Sequence, residues 1–214
     1  TAVSLSNFGV DCAYVTKLPE NGIGQSAVNS LRQYGVDISN IVRGGEQIGI
    51  YFLEKKTSQR PSNVVYNRSG SAIALATDAD FDWDKIFEGV TWFHFSGITP
   101  AISDNLAGIC LKACKIAKEK NITVSCDLNY RSKLWSGEKA NEVMSEICKY
   151  VDICIANEDD AVGIFQINPG PEVANRNEYI AEELMKRFPF KMVASVWRTE
   201  KSITTFELQA MVYT

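Results

Sequence analysis

The densest chemistry in this chain lies in Ser125-Cys126-Asp127-Leu128-Asn129-Tyr130-Arg131. An apolar lead, Ile122-Thr123-Val124, runs straight into it, a pattern that predicts a buried strand delivering an amide, a phenol and a guanidinium to one sheet edge. In open α/β sheets ligands bind just beyond the carboxyl ends of the strands. A planar, permanently charged guanidinium such as Arg131 suits a carboxylate or phosphate there. The plainer alternative is a loop arginine paired with a surface acid, which would contribute little. Asp127 either orients Arg131 and its loop or caps the turn.

Ile155-Ala156-Asn157-Glu158-Asp159-Asp160 repeats that logic at the next expected strand end. Asn157 leads into a helix and can serve as its N-cap. The acids that follow would offset the helix dipole. Alternatively, the carboxylates hold water around a nucleotide-bound Mg²⁺, an ion that keeps several of its own waters. A third group comes from Tyr51, Tyr66 and Arg68. The two tyrosines fall on neighbouring strands, and Arg68 shares the face of Tyr66 by the two-residue period. They form either a cross-strand aromatic pair with a solvated arginine or a lid laying a phenol and a guanidinium over a polar substrate.

Other polar residues read more simply. His94, the single histidine, sits inside the apolar run Trp92-Phe93-His94-Phe95 and is expected to be a hydrogen-bonded core residue. Trp83 and Trp92 are expected in the core. The six cysteines, at positions 12, 110, 114, 126, 148 and 154, form no Cys-x-x-Cys pair. With so little histidine they read as small core residues in a reducing cytoplasm, not as a zinc site or a disulfide framework. Gly22-Ile23-Gly24 is too short for a phosphate loop, and GxxxxGK[ST] does not occur.

The elements that would position these groups follow from periodicity. Residues 1–9 read as the last turns of a helix, 12–16 as a strand, and 24–34 as a helix that stops at Gly35. Residues 48–54 and 63–68 form two strands joined by a polar turn at 55–62, a hairpin with no helix between. From residue 78 strands and helices alternate. Helices are expected at 81–87, 103–120, 138–148, 158–165 and 179–188, and strands at 90–95, 122–126, 151–156, 192–195 and 206–213. Such alternation implies an α/β fold, a doubly wound and mainly parallel sheet, here with a small β lid. Residues 1–40 and 73–214 are thus expected to form the core, and residues 41–72 the lid.

Bulk properties exclude several classes. At 214 residues the chain can hold one large domain, or one domain with an appendage. A net charge of −4 with no Lys/Arg block argues against a nucleic-acid partner. No apolar run approaches the roughly 18 residues that cross a membrane. The first residues, from Thr1, have neither an initiator Met nor a charged n-region, so they point to a truncated or omitted start and not to a signal peptide. The exposed edge of the lid makes pairing with a second copy plausible.

Taken together, these residues resemble the ribokinase-like (PfkB) carbohydrate kinases, most closely the 2-keto-3-deoxygluconate kinases. The similarity rests on Val36-Asp37, Val42-Arg43-Gly44-Gly45, Gly49-Ile50-Tyr51-Phe52-Leu53-Glu54, Arg60-Pro61-Ser62 and Tyr66-Asn67-Arg68. It continues through Phe93-His94-Phe95-Ser96-Gly97-Ile98-Thr99-Pro100, the run from Asp127 through Arg131 to Leu134-Trp135, and Asn157-Glu158-Asp159-Asp160. The resemblance implies transfer of phosphate from ATP, with Mg²⁺, to a small sugar acid. It implies that Tyr51, Tyr66 and Arg68 contact the sugar acid, and that Asn129 and Arg131 lie between substrate and nucleotide phosphates. Asn157 would line the nucleotide site, Arg198 would approach it, and Asp160 would stand in the metal-linked position where the family carries Glu. In the family a Gly-Gly substrate loop precedes the matched region, and a Gly-Ala-Gly-Asp segment with the catalytic base follows it. Neither is found among these 214 residues. A sugar-acid or nucleotide-binding module without catalysis, and a fructokinase- or ribokinase-type enzyme for neutral sugars, are the alternatives.

Overall fold

A computed structural model describes residues 1–55, 62–202 and 205–214. Most of the polar turn expected between the hairpin strands, with Arg60 and Pro61, lies outside the described residues. The chain divides into two compact units, Thr1–Asp82 and Trp83–Thr214.

The first unit comprises α1 (Ala2–Asn7), β1 (Thr16–Leu18), α2 (Gly22–Arg32), β2 (Ile41–Arg43), β3 (Ile50–Glu54) and β4 (Asn63–Asn67). β1 and β2 pair in parallel. The strand expected at 12–16 therefore begins only at Thr16, because upstream of it Ala13 alone bridges Asp37. β2 went unforeseen: three residues are too few to display a period. α2 starts where the Asn21 side chain accepts the Gly24 N–H at 2.9 Å. β3 and β4 form the expected antiparallel hairpin, with Tyr51 directly opposite Tyr66. All of β3 is exposed, and only Val64 of β4 is partly covered.

The second unit holds α3 (Trp83–Ile86), β5 (Trp92–Ser96), α4 (Ile98–Ile102), α5 (Asp104–Glu119), β6 (Thr123–Asp127), α6 (Gly137–Ile147), β7 (Ile153–Ile155), α7 (Glu158–Phe165), α8 (Arg176–Arg187), β8 (Met192–Glu200) and β9 (Phe206–Tyr213). Its sheet runs β5-β6-β7-β8-β9, parallel through β8 and antiparallel at β9. The mainly parallel α/β sheet is thus the observed architecture. β8 extends five residues beyond the apolar segment at 192–195, because β9 returns alongside it and satisfies its backbone.

Helix starts follow local capping chemistry. Ser103, Ser136, Asn157 and Asn175 each accept, through the side chain, the N–H three residues on. The Asn175 cap explains why α8 begins at Arg176, earlier than its apolar pattern alone suggests. Along α5 the buried face is Leu106, Ile109, Cys110, Ala113, Cys114 and Ala117, a spacing of three and four that matches one helical stripe. The core around the sheet contains Val124, Cys126, Leu128, Cys154 and Val193, all fully buried. Five cysteines are buried and Cys12 is partly exposed; all six are free. Trp83 is buried as expected, but Trp92 is 54% exposed. It lies on β5, at one margin of the sheet, and its indole N–H donates to Ser125 Oγ at 2.7 Å.

Just before β7, at the amino-terminal ends of the strands, Asp152 acts as a staple. Its Oδ1 contacts Lys118 Nζ at 2.7 Å and Lys191 Nζ at 3.0 Å, and its Oδ2 accepts the Val124 N–H at 3.0 Å.

Candidate active site

Parallel register brings the strand ends to one level. Ser96 of β5 lies opposite Asp127 of β6, Asp127 opposite Ile155 of β7, and Ile155 opposite Ala194 of β8. At that level the chain leaves β6 into Leu128-Asn129-Tyr130-Arg131 and β7 into Ala156-Asn157, while β5 passes through Gly97 into α4 and β8 runs on to Glu200. A cavity of about 300 Å³ opens there, lined by Asp127, Asn129, Arg131, Asn157 and Asp160, with Val196 on its apolar wall.

The Asn129 loop is held from several sides. Leu128 is fully buried, and its N–H donates to Ile155 O at 2.9 Å. The Gly97 N–H donates to Asp127 O at 2.7 Å. The chains pass so closely that a Cβ on Gly97 would lie 2.1 Å from Leu128 O, so only glycine fits. Asn129 then turns with φ +41°, a left-handed conformation that asparagine tolerates better than most residues. Its amide donates to Ser96 Oγ at 3.3 Å.

Asp160 joins this loop to the start of α7. Its Oδ1 accepts the Tyr130 N–H at 2.7 Å, and its Oδ2 accepts the Asn157 N–H at 3.1 Å. Asn157 returns the bond by accepting the Asp160 N–H at 2.9 Å, which completes a capping box. The carboxylate that resemblance assigns to a metal is thus first a structural tie, 5% exposed, with one backbone bond on each oxygen.

Electrostatically the cavity strains its own acids. Burial raises the Asp127 carboxyl above its ordinary pKa, against the Asn129 N–H and Arg131, which pull it down. Burial likewise raises Asp160, opposed by its two backbone bonds and by Arg131, while Asp127 adds to the rise. Two carboxylates sharing a partly dry cavity favour a cation between or beside them. The exposed Arg131 guanidinium, in turn, suits an anion with several oxygens.

Tyr51 and Tyr66 form a tilted pair with ring centroids 6.5 Å apart, and the Arg68 guanidinium sits 4.4 Å above the Tyr66 ring. The hairpin trio therefore clusters as its two-residue period implies. Arg198 does not line the cavity: it lies two residues beyond Val196 on β8, with its guanidinium 4.3 Å above the Phe206 ring of β9. His94 accordingly sits as a hydrogen-bonded strand residue, Nδ1 2.8 Å from Ser125 Oγ, with burial lowering its pKa. The expected role of the Tyr130 phenol at the sheet edge gives way to packing, because its ring lies against Gly163 of α7 and outside the cavity. Sequence reasoning left Asp127 with two readings; in the structure it lines the cavity. No helix among the described residues is long and apolar enough to cross a membrane.

Known proteins resemble this chain in sequence and fold. The chain is 48% identical to 2-dehydro-3-deoxygluconokinase from Thermotoga maritima, whose crystal structure superposes with a TM-score of 0.92 over 99% of this chain and 64% of that one. A PfkB family carbohydrate kinase from Listeria grayi is 32% identical, with a TM-score of 0.89, covering all of this chain and 65% of that one. A 2-dehydro-3-deoxygalactonokinase from Haloferax volcanii is 32% identical over 90% of this chain and 58% of its own length. The chain therefore spans about three-fifths of the length of these relatives. Residues 1–188 match the family described as pfkB family carbohydrate kinase, and the chain belongs to it.

Proposed function

We propose that the whole protein transfers the γ-phosphoryl group of ATP to the primary hydroxyl of a 2-keto-3-deoxy sugar acid, 2-keto-3-deoxygluconate. The observation that carries this reading is the rim cavity, in which Arg131, Asn129 and Asn157 meet two carboxylates at the strand ends of a carbohydrate-kinase fold. Phosphoryl transfer asks a protein mainly for positioning and charge stabilisation. Arg131 provides a fixed positive fork for phosphate oxygens, and Asn129 a neutral donor beside it. Asn157 presents its amide at the nucleotide side.

The donor set Asp127, Asn157 and Asp160 is all oxygen and suits Mg²⁺. Asp160 would act on the ion through water, since backbone N–H groups already occupy both its oxygens. Bound with the nucleotide, Mg²⁺ offsets charge on the phosphate oxygens. Arg198, stacked on Phe206, would reach the nucleotide only by leaving that ring. The proton acceptor is the aspartate of the family's Gly-Ala-Gly-Asp segment, which is not among these residues.

The hairpin trio Tyr51, Tyr66 and Arg68 recognises the sugar acid, with Arg68 as the carboxylate partner. The exposed apolar residues of the hairpin, Phe52, Leu53 and Val65 among them, support pairing of two copies through it. A second reading, the galactonate epimer, is favoured by the similarity to the Haloferax protein.

A coupled assay of ATP consumption by the whole protein tests these readings. It would compare 2-keto-3-deoxygluconate, its galactonate epimer, fructose and ribose. The proposal expects at least a hundredfold preference in kcat/KM for a sugar acid. Preference for a neutral sugar refutes Arg68 as a carboxylate partner, and ATP binding without consumption leaves a binding module.

A further inference from the structure

Tyr130 is the residue between the two side chains that the proposed reaction uses, yet its own side chain leaves the cavity. A Cβ built on Gly163 would lie 2.5 Å from Tyr130 Cδ1, 2.7 Å from Cε1 and 3.3 Å from Cγ. The ring is therefore seated directly on the backbone of α7, in a place no larger residue could leave open. Its hydroxyl end reaches the start of α6, where a Cβ on Gly137 would lie 3.8 Å from the Tyr130 oxygen and 2.9 Å from Gly163 O. The backbone of the same residue is fixed independently, since its N–H donates to Asp160 Oδ1 at 2.7 Å. Tyr130 is thus held to α7 twice, by its ring on Gly163 and by its amide on Asp160.

We propose that the Gly163 seat makes Tyr130 a positioning residue that fixes the direction in which Asn129 and Arg131 enter the cavity. The preceding residue turns with φ +41°, and the following Arg131 carbonyl accepts the Leu134 N–H at 2.9 Å. Between those two turns the Tyr130 ring is packed on α7. Arg131 is exposed at the cavity, beside Asp127 and Asp160, whose carboxyls its charge pulls down. Asn157, on the nucleotide side, is tied to the same Asp160. The seat, the amide bond and the capping box therefore hold both proposed phosphate-facing loops in one frame. A displacement of about 1 Å in such a frame can cost on the order of a hundredfold in rate.

The inference rests on the proposed kinase reading for its kinetic arm, and its structural arm is independent of any activity. In the whole protein, Gly163→Ala is expected to lower kcat by about tenfold to a hundredfold, with KM for ATP within threefold of the parent. Introduced into an Asn129→Ala/Arg131→Ala background, the same change is expected to lower kcat less than threefold further, because the seat acts through those two side chains. Losses that multiply in the combined variant overturn the proposal. In parallel, backbone hydrogen exchange is measured without substrate. The Tyr130 amide is expected to exchange at least tenfold faster in Gly163→Ala, while the amides of α5 keep their rates. Unchanged Tyr130 exchange also overturns it. If Gly163→Ala does not fold, Tyr130→Leu empties the seat without adding atoms and is read by the same two criteria. If the parent protein phosphorylates no acceptor, the kinase reading fails and the exchange result alone decides for or against the seat.

Discussion

Replacing Asp152 by alanine should cost the folded protein about 3.5 kcal/mol, and replacing it by asparagine about 1.5 kcal/mol. The carboxylate is 4% exposed and receives Lys118, Lys191 and the Val124 N–H. Charge-assisted bonds of this kind contribute about 1.5–3 kcal/mol. The lower end applies, because the Lys118 and Lys191 side chains are 38% and 76% exposed and regain water when their partner is lost. Alanine also strands the N–H of Val124, a fully buried residue, at a further cost of about 2 kcal/mol. Asparagine keeps an oxygen for that N–H and loses only the charge. For a domain of this size the melting temperature should fall by roughly 7–14 °C for alanine and 3–6 °C for asparagine. The pH dependence has a definite sign. Burial pushes the Asp152 carboxyl up, but the Lys118 ammonium, the Val124 N–H and Lys191 outweigh it, and its pKa lies below the ordinary value. A depressed carboxyl stabilises the fold above the unfolded-state pKa of about 3.9 and loses that contribution as pH falls through the folded-state value. Calorimetry of the parent and both variants between pH 7 and pH 3 should show the parent–asparagine gap closing below about pH 4. A gap that stays constant or widens on acidification, or equal losses for the two variants, would refute the staple.

Arg131→Ala should lower turnover by at least about a hundredfold while shifting the melting temperature by less than about 2 °C, since the side chain is exposed and its work is on the phosphate oxygens. Unchanged steady-state kinetics would remove it from the site. Leu128→Ala empties a fully buried position and should cost about 3 kcal/mol by denaturant titration. Turnover should fall with it, because Leu128 anchors the Asn129 turn; full activity in the folded variant would argue against that anchoring. Arg68→Ala should raise KM for the sugar acid by about tenfold, the worth of one charge-assisted contact, and leave KM for ATP unaltered. An equal loss on neutral sugars would count against carboxylate recognition.

Much of this architecture was legible because its signals are local. The hairpin pattern placed Tyr51, Tyr66 and Arg68 on one cluster, and the apolar-to-polar switches at Asp127 and Asn157 marked two strand ends that the sheet does bring to one cavity. What escaped was set by partners distant in sequence. β1 and β2 are three residues each and exist by pairing with one another. The outer half of β8 exists because β9 lies beside it. Trp92 looked like core by composition, but β5 is a marginal strand in this sheet and leaves it half open to solvent. The Tyr130 ring was misplaced for a similar reason, since nothing next to it in sequence announces a glycine seat 33 positions away. The family resemblance pointed to Asp160 as metal-linked, whereas its bonds to Tyr130 and Asn157 emerge only once two loops meet.

The common rim level of β5 through β8 also governs how such a site can change over evolutionary time. Side chains alternate faces along a strand, so one residue gained or lost inside β6 would turn every later position over. Asp127 would then turn away from the cavity it lines, and the turn after it would lose the register in which Leu128 bonds Ile155 and Asn129 bonds Ser96. Substitutions in the rim loops, and length changes beyond Arg131, leave that alternation untouched. Lineages carrying this sheet should therefore vary freely in loop length past the rim and scarcely at all in the number of residues from Thr123 to Asn129, so that new acceptors are explored by exchange of side chains on a fixed ruler.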